Sequence, residues 1–134
     1  GINIPEEIIP NIIDEIPILS IAASFALGTT NITNASELRV KESDRLNAIS
    51  EGLTKIGAEH KIFEDGISIY GSLDTICSSI KINSYGDHRI AMSFLVAGIR
   101  SNNGIKVENC KNIETSFPHF KETMNLLGAN IIEE

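Results

Sequence analysis

Two short strings concentrate the residues of this chain that can do chemistry. In Lys41-Glu42-Ser43-Asp44-Arg45 two cations stand four apart, the spacing that shares one helical face, and Glu42 borders that face three residues before Arg45. Two cations flanking a carboxylate can hold an anion beside a group that moves a proton. A cationic neighbour lowers a carboxylic acid's pKa and burial raises it, so acid–base work here requires a closed, water-free cleft. In Asp87-His88-Arg89 an acid, a titratable base and a permanent cation share one turn, directly after Tyr85-Gly86. Asp14 lies between Ile12-Ile13 and Ile16, where a carboxylate is costly unless it is bonded or working; capping the helix that follows is the alternative. Both strings precede apolar, periodic segments. A helix start, with its unpaired N–H groups and positive dipole end, is a natural seat for phosphate or carboxylate. The other reading of both strings is a solvated helix start with ordinary ion pairs and an Asp cap. His60 and His119 lack such company and are expected on the surface.

These residues need elements to carry them. Residues 17–27 place apolar side chains at Ile18, Leu19, Ile21, Ala22, Phe25 and Ala26 before Gly28, which predicts a buried helix with a glycine stop. Residues 30–33 alternate as a strand; residues 42–56 repeat Leu46, Ile49, Leu53 and Ile56 before Gly57, as a helix does. Residues 60–63 and 67–70 read as strands joined by a tight Asp-Gly turn. A second round follows: strand 80–82, helix 87–99, strand 104–108, helix 117–127 and strand 130–132. Gly57-Ala58-Glu59 is echoed by Gly128-Ala129-Asn130, and Asp14 by Asp87. The expectation is one domain, 1–134, holding an internal repeat at about 14–71 and 80–134, whose helices must bury a face on a small sheet, so that two or more copies pack together and share the helices between sheets.

Composition bounds what such a domain does. The chain has 134 residues, 42% hydrophobic and 22% charged, the profile of one folded domain. A formal charge of −7 argues against a broad basic face, so no nucleic acid and no anionic membrane surface is expected, and an anionic ligand must be caught locally. The most apolar stretch, residues 16–28, is too short to span a bilayer. Cys77 and Cys110 stand far apart without metal or redox spacing, so no metal site is expected and a reducing cytoplasm fits.

In order along the chain, Ile9-Pro10-Asn11-Ile12-Ile13-Asp14-Glu15-Ile16-Pro17, Glu37-Leu38-Arg39-Val40-Lys41-Glu42-Ser43-Asp44-Arg45-Leu46, Gly86-Asp87-His88-Arg89-Ile90-Ala91-Met92 and Thr115-Ser116-Phe117-Pro118-His119-Phe120 resemble the signature blocks of the enolpyruvyl transferases. The likeness is to the branch that acts on shikimate-3-phosphate; the long Arg-Val-Lys-Glu-Ser-Asp-Arg string argues against the UDP-N-acetylglucosamine branch. The resemblance implies an α/β fold, an inside-out α/β barrel of repeated βαβαββ units, of which about two are present. It implies transfer of the enolpyruvyl group of phosphoenolpyruvate to the 5-hydroxyl of shikimate-3-phosphate, with no cofactor, by a monomer in which a first domain, absent here, supplies the other half of the site. Under it, Asp14 resembles the carboxylate that binds the 5-hydroxyl and takes its proton, and Glu42 the acid that protonates the methylene carbon. Lys41 resembles a shikimate-3-phosphate contact, with Glu37 at a position where some members carry asparagine. Arg45 and Arg89 resemble phosphoenolpyruvate anchors, with His88 close by. Thr115 and Ser116 stand where some members have a lysine just before the Phe-Pro pair. A non-catalytic anion-binding remnant is the alternative.

Overall fold

A computed structural model describes residues 1–76 and 78–134. Cys77, half of the cysteine reading above, lies outside the described residues. The element order is α1 (Ile9–Ile12), α2 (Ile16–Ser24), β1 (Gly28–Ile32), α3 (Arg45–Ile56), β2 (Glu59–Ile62), β3 (Ile67–Gly71), β4 (Ile80–Asn83), α4 (His88–Ala97), β5 (Ile105–Glu108), α5 (Ile113–Ser116) and α6 (Phe120–Leu126), with a 3-10 turn at Ser36–Val40.

The strands form two sheets. β3 lies between β1 and β2, antiparallel to both, with Thr30 opposite Ile69 and Ile62 opposite Ile67. β4 and β5 pair in parallel, Ile80 opposite Ile105, and α4 makes the crossover between them. A single parallel bridge from Asn3 to Asn31 places α2 in the same relation to β1. Isoleucine builds most of the core: Ile32, Ile67 and Ile69 from the sheet meet Leu46, Ile49 and Leu53 of α3, Ile16 of α2, and Ile90 and Phe94 of α4. Phe94 sets the closeness of α3 and α4. A Cβ on Gly52 would stand 1.9 Å from its ring, so the helices approach through a position that holds no side chain. That approach brings the start of α3 beside the start of α4.

The α/β class read from sequence is the one observed, and several boundaries move for local reasons. α2 ends at Ser24, and Gly28, at φ +90°, opens β1 rather than stopping the helix. α3 begins at Arg45 because Asp44 leaves the helical region (ψ 86°) and its carboxylate accepts from the Asn47 N–H. The hairpin turns on Glu64-Asp65, closed by the Phe63 N–H on the Gly66 carbonyl, and Gly66 has no positive φ; its bareness serves the Ile32 carbonyl, 2.0 Å from where a Cβ would stand. The helix expected from residue 117 starts at Phe120, since Phe117 precedes a proline and is extended at φ −146°. The strand expected at 130–132 does not form. Asn125 takes both backbone groups of Ile131, its amide donating to the carbonyl at 3.0 Å and its Oδ1 accepting the N–H at 2.7 Å. The two glycine echoes do share a geometry: Gly57 and Gly128 are both left-handed, and Ala58 and Ala129 donate back to Leu53 and Met124.

Candidate functional site

Three helices begin at the same end of the molecule. Asp14-Glu15 precede α2, Asp44 caps α3 and Asp87 caps α4, whose first turn carries His88 and Arg89. The expectation of open helix-start anion seats is therefore corrected at α3 and α4. Each already holds its own carboxylate, Asp44 on the Asn47 N–H and Asp87 on the N–H groups of Arg89 and Ile90.

Arg45 is the centre of the cluster. It is 1% exposed, and its guanidinium meets three carboxylates: Nε donates to Asp87 at 2.8 Å, Nη1 to Asp14 at 2.8 Å and Nη2 to Glu42 at 2.5 Å. Asp87 is wholly buried, whereas the side chains of Asp14 and Glu42 are 42% and 52% exposed. The guanidinium thus has an inner, structural side and an outer side where two carboxylates reach the surface. Three of its five N–H groups are used, leaving one on each Nη among the described residues. Burial disfavours the Arg45 cation, but the hydrogen bond and charge of Asp87 outweigh it and raise its pKa. For Asp87, burial likewise opposes ionisation, and the bond from Arg45 overrides it, holding the carboxyl below its ordinary range.

Asp14 is no helix cap. Burial resists its charge, yet the Arg45 bond and the fields of Lys41, Arg89 and Arg45 keep its pKa below the usual value. It stays ionised near neutrality, the state in which a carboxylate can accept a proton. Lys41 lies between the 3-10 turn and α3, not on the face of α3 that its spacing from Arg45 suggests. Both cations still converge on Asp14, Lys41 Nζ standing 3.6 Å from the oxygen that Arg45 holds. Glu37, at the asparagine position, pairs with Lys41 at 2.8 Å, and that bond is the main cause of the raised Lys41 pKa. Arg89 Nη1 donates to the Asp14 carbonyl at 3.1 Å and to Glu15 at 3.0 Å. The His88 side chain, half-buried beside it, makes no hydrogen bond among the described residues.

Every predicted site residue thus falls in one neighbourhood. The sequence reading missed Ser43, whose hydroxyl donates to Asp87 at 3.0 Å, and missed Asp87 as a partner of Arg45, because capping already explained an Asp at a helix start. Arg39 ties the hairpin turn to the start of α3, donating to the carbonyls of Phe63 and Glu64 at 2.7 Å each and to the Asp44 cap at 3.1 Å. His60, expected on the surface, is half-buried and bonded to Ser50 and the Ala58 carbonyl, both at 2.8 Å. Thr115 and Ser116 are exposed, as is His119. No helix among the described residues is long and apolar enough to cross a membrane.

The sequence model of the family described as EPSP synthase (3-phosphoshikimate 1-carboxyvinyltransferase) matches residues 1–124. A 3-phosphoshikimate 1-carboxyvinyltransferase of Vesicomyosocius okutanii is 50% identical over 131 residues, 98% of this chain and 30% of the relative. One from Coxiella burnetii is 45% identical over the same share of this chain and 29% of its own. The solved structure of EPSP synthase from Acinetobacter baumannii superposes with a TM-score of 0.92 at 44% identity, over 97% of this chain and 30% of that one. The chain therefore spans about 30% of the length of the curated relatives it matches.

Proposed function

The chain belongs to the EPSP synthase family, and from that premise we propose that Asp14, Glu37, Lys41, Glu42, Arg45, His88 and Arg89 form one wall of a site that transfers the enolpyruvyl group of phosphoenolpyruvate to the 5-hydroxyl of shikimate-3-phosphate. The remaining length seen in the relatives supplies the facing wall, so this portion alone is inactive. The observation that supports the reading best is the Arg45 hub. One buried guanidinium holds two surface-reaching carboxylates, Asp14 and Glu42, at 2.8 and 2.5 Å from its two Nη atoms.

Addition requires a proton to leave the hydroxyl and another to reach the vinyl carbon. Asp14, ionised and hydrogen-bonded, takes the first; Glu42 gives the second within a site that the facing wall closes to water. As phosphate leaves the tetrahedral adduct with the proton that Asp14 had taken, a proton returns from the new methyl carbon to Glu42. The free N–H on each Nη of Arg45, with Arg89 beyond Asp14, meets the carboxylate and phosphate of phosphoenolpyruvate, where fixed guanidinium groups need not reorganise as charge moves. Lys41, shared between Asp14 and Glu37, turns to the 3-phosphate. The same reading takes the chain as two related units, about 14–71 and 80–134, each with an Asp at the start of its first helix and a left-handed glycine after its last.

Two substitutions in the protein completed by the remaining length test these roles. Glu42→Gln keeps shape and loses the proton, so turnover falls about 10²- to 10⁴-fold with little change in substrate affinity. Lys41→Met weakens shikimate-3-phosphate binding by about 1.5–3 kcal/mol, the range of a hydrogen bond to a charged group. Negligible effects from both, or steady turnover by the 134-residue chain alone, would sink the proposal.

A further inference from the structure

We propose that Asp87 is the positioning residue of this wall: one carboxylate locks Arg45 and the first turn of α4 together, and so sets the spacing between the Lys41–Arg45 string and the His88–Arg89 pair. The inference rests on the proposed reaction site and deepens it.

Asp87 divides its bonds by oxygen. Oδ1 accepts the N–H groups of Arg89 and Ile90 at 3.0 and 3.4 Å, both on α4. Oδ2 accepts Arg45 Nε at 2.8 Å and the Ser43 hydroxyl at 3.0 Å, both at the start of α3. Capping alone does not account for the residue, because Ser or Asn caps a helix as well as Asp does. Only a carboxylate also balances a guanidinium buried with it, and a buried ion that loses its partner is strongly unfavourable. With Nε held on the inner side, the Nη atoms of Arg45 can point nowhere but towards Asp14 and Glu42. Without that anchor the guanidinium keeps only its two part-exposed partners, and the direction of its Nη atoms is no longer fixed from the buried side.

The turn that delivers Asp87 is itself held. Tyr85 and Gly86 are both left-handed, at φ 56° and 72°. The Tyr85 N–H lies on Asn83 Oδ1 at 2.8 Å, the Asp87 N–H on the Ser84 carbonyl at 3.0 Å, and the Asn112 amide donates to the Gly86 carbonyl. Buried Ser84 is anchored in turn to the Asn109 carbonyl at 2.9 Å. A carboxylate delivered this rigidly can act as a fixed reference for a longer side chain.

The test is Asp87→Ser, which keeps the cap and removes the carboxylate from Arg45. In the 134-residue chain, side-chain NMR should show hydrogen exchange at Arg45 Nε accelerating about tenfold or more, while the Arg89 and Ile90 amides remain helical. In the completed enzyme, phosphoenolpyruvate binding should weaken about tenfold, with Asp87→Asn, which also caps without charge, behaving alike. Unchanged Arg45 exchange, or unchanged affinity in both folded variants, overturns the proposal. If the variants do not fold, the unsubstituted chain decides: Arg45 Nε–H must exchange more slowly than its own Nη–H groups, and equal rates overturn it. If the unsubstituted enzyme binds no phosphoenolpyruvate, the reaction-site reading fails instead, and the exchange comparison still judges the positioning role.

Discussion

Arg45 and Arg89 carry nearly the same local signal, an arginine in the first turn of a helix capped by aspartate, and the fold uses them oppositely. Arg45 is 1% exposed and bonded to three carboxylates, one of them fully buried. The Arg89 side chain is 34% exposed and meets one exposed glutamate and a backbone carbonyl. The difference lies in what the helices pack against. The start of α3 is enclosed by α2 and by α4, drawn close through Gly52 and Phe94, whereas Arg89 lies on the part-exposed side of a first turn whose other side, at Ile90 and Ala91, is buried. A charge enclosed on several sides becomes part of the framework even where it also borders a binding surface, and one enclosed on a single side stays available to a ligand.

The comparison breaks hardest at Arg45. Arg45→Met should cost about 3–5 kcal/mol of stability, because Asp87 is left buried without its cation. Denaturant titration measures it, and a loss under about 1 kcal/mol would mean that the hub is ornamental to the fold. Acid reaches the same contact without a substitution. Asp87 and Asp14 both have folded pKa values below their ordinary ones, so their contribution is fully present above the unfolded carboxylate value and is lost as pH falls through the folded values. The unfolding midpoint in urea should drop as pH falls below about 4. The drop should be shallower in Asp87→Asn, which has no carboxylate there to protonate; equal slopes would remove Asp87 from the account.

Gly52→Ala sharpens the comparison from the side of packing. The new methyl would stand 1.9 Å from the Phe94 ring, so α3 and α4 must separate or the ring must shift, at about 1–3 kcal/mol. Separation also lengthens the reach from Arg45 to Asp87. If the helix approach sets the hub, the Arg45 Nε signal should change along with stability, and a stable variant with an unchanged signal would uncouple the two.

How far this was legible in the sequence depends on whether the cause is local. Most of the longer elements followed from periodicity, because Ile49 and Leu53, or Ile67 and Ile69, face one core whatever surrounds them, while the short helices α1 and α5 did not. Where a side chain competed with the backbone the reading failed: Asp44 moved the start of α3, and Asn125 took the backbone groups of Ile131 where a strand was expected. The side chains that converge around Arg45 were legible as a set through family blocks, but the contacts among them were not. Spacing placed Lys41 and Arg45 on one face, and nothing in it showed that Arg45 turns inward to Asp87, 42 residues on. That contact depends on the closeness of α3 and α4, which rests on a glycine whose absent side chain no motif marks.

The smallest expected effect belongs to Arg89, and it bears most directly on what the two arginines teach. Arg89→Gln removes a 3.0 Å pair with Glu15, whose side chain is 53% exposed. Exposed pairs of this kind are screened and contribute little, so stability should change by less than about 1 kcal/mol, in contrast to Arg45→Met. In the completed enzyme, phosphoenolpyruvate affinity should still fall, by about 1.5–3 kcal/mol for a lost charge-assisted contact, because the guanidinium is spared from the framework and so available to the ligand. Stability unmoved with affinity lowered is the pattern that separates an anchor from a hub. If Arg89→Gln instead destabilises the chain as much as Arg45→Met does, both arginines belong to the framework, and exposure is no guide to which cation serves the ligand.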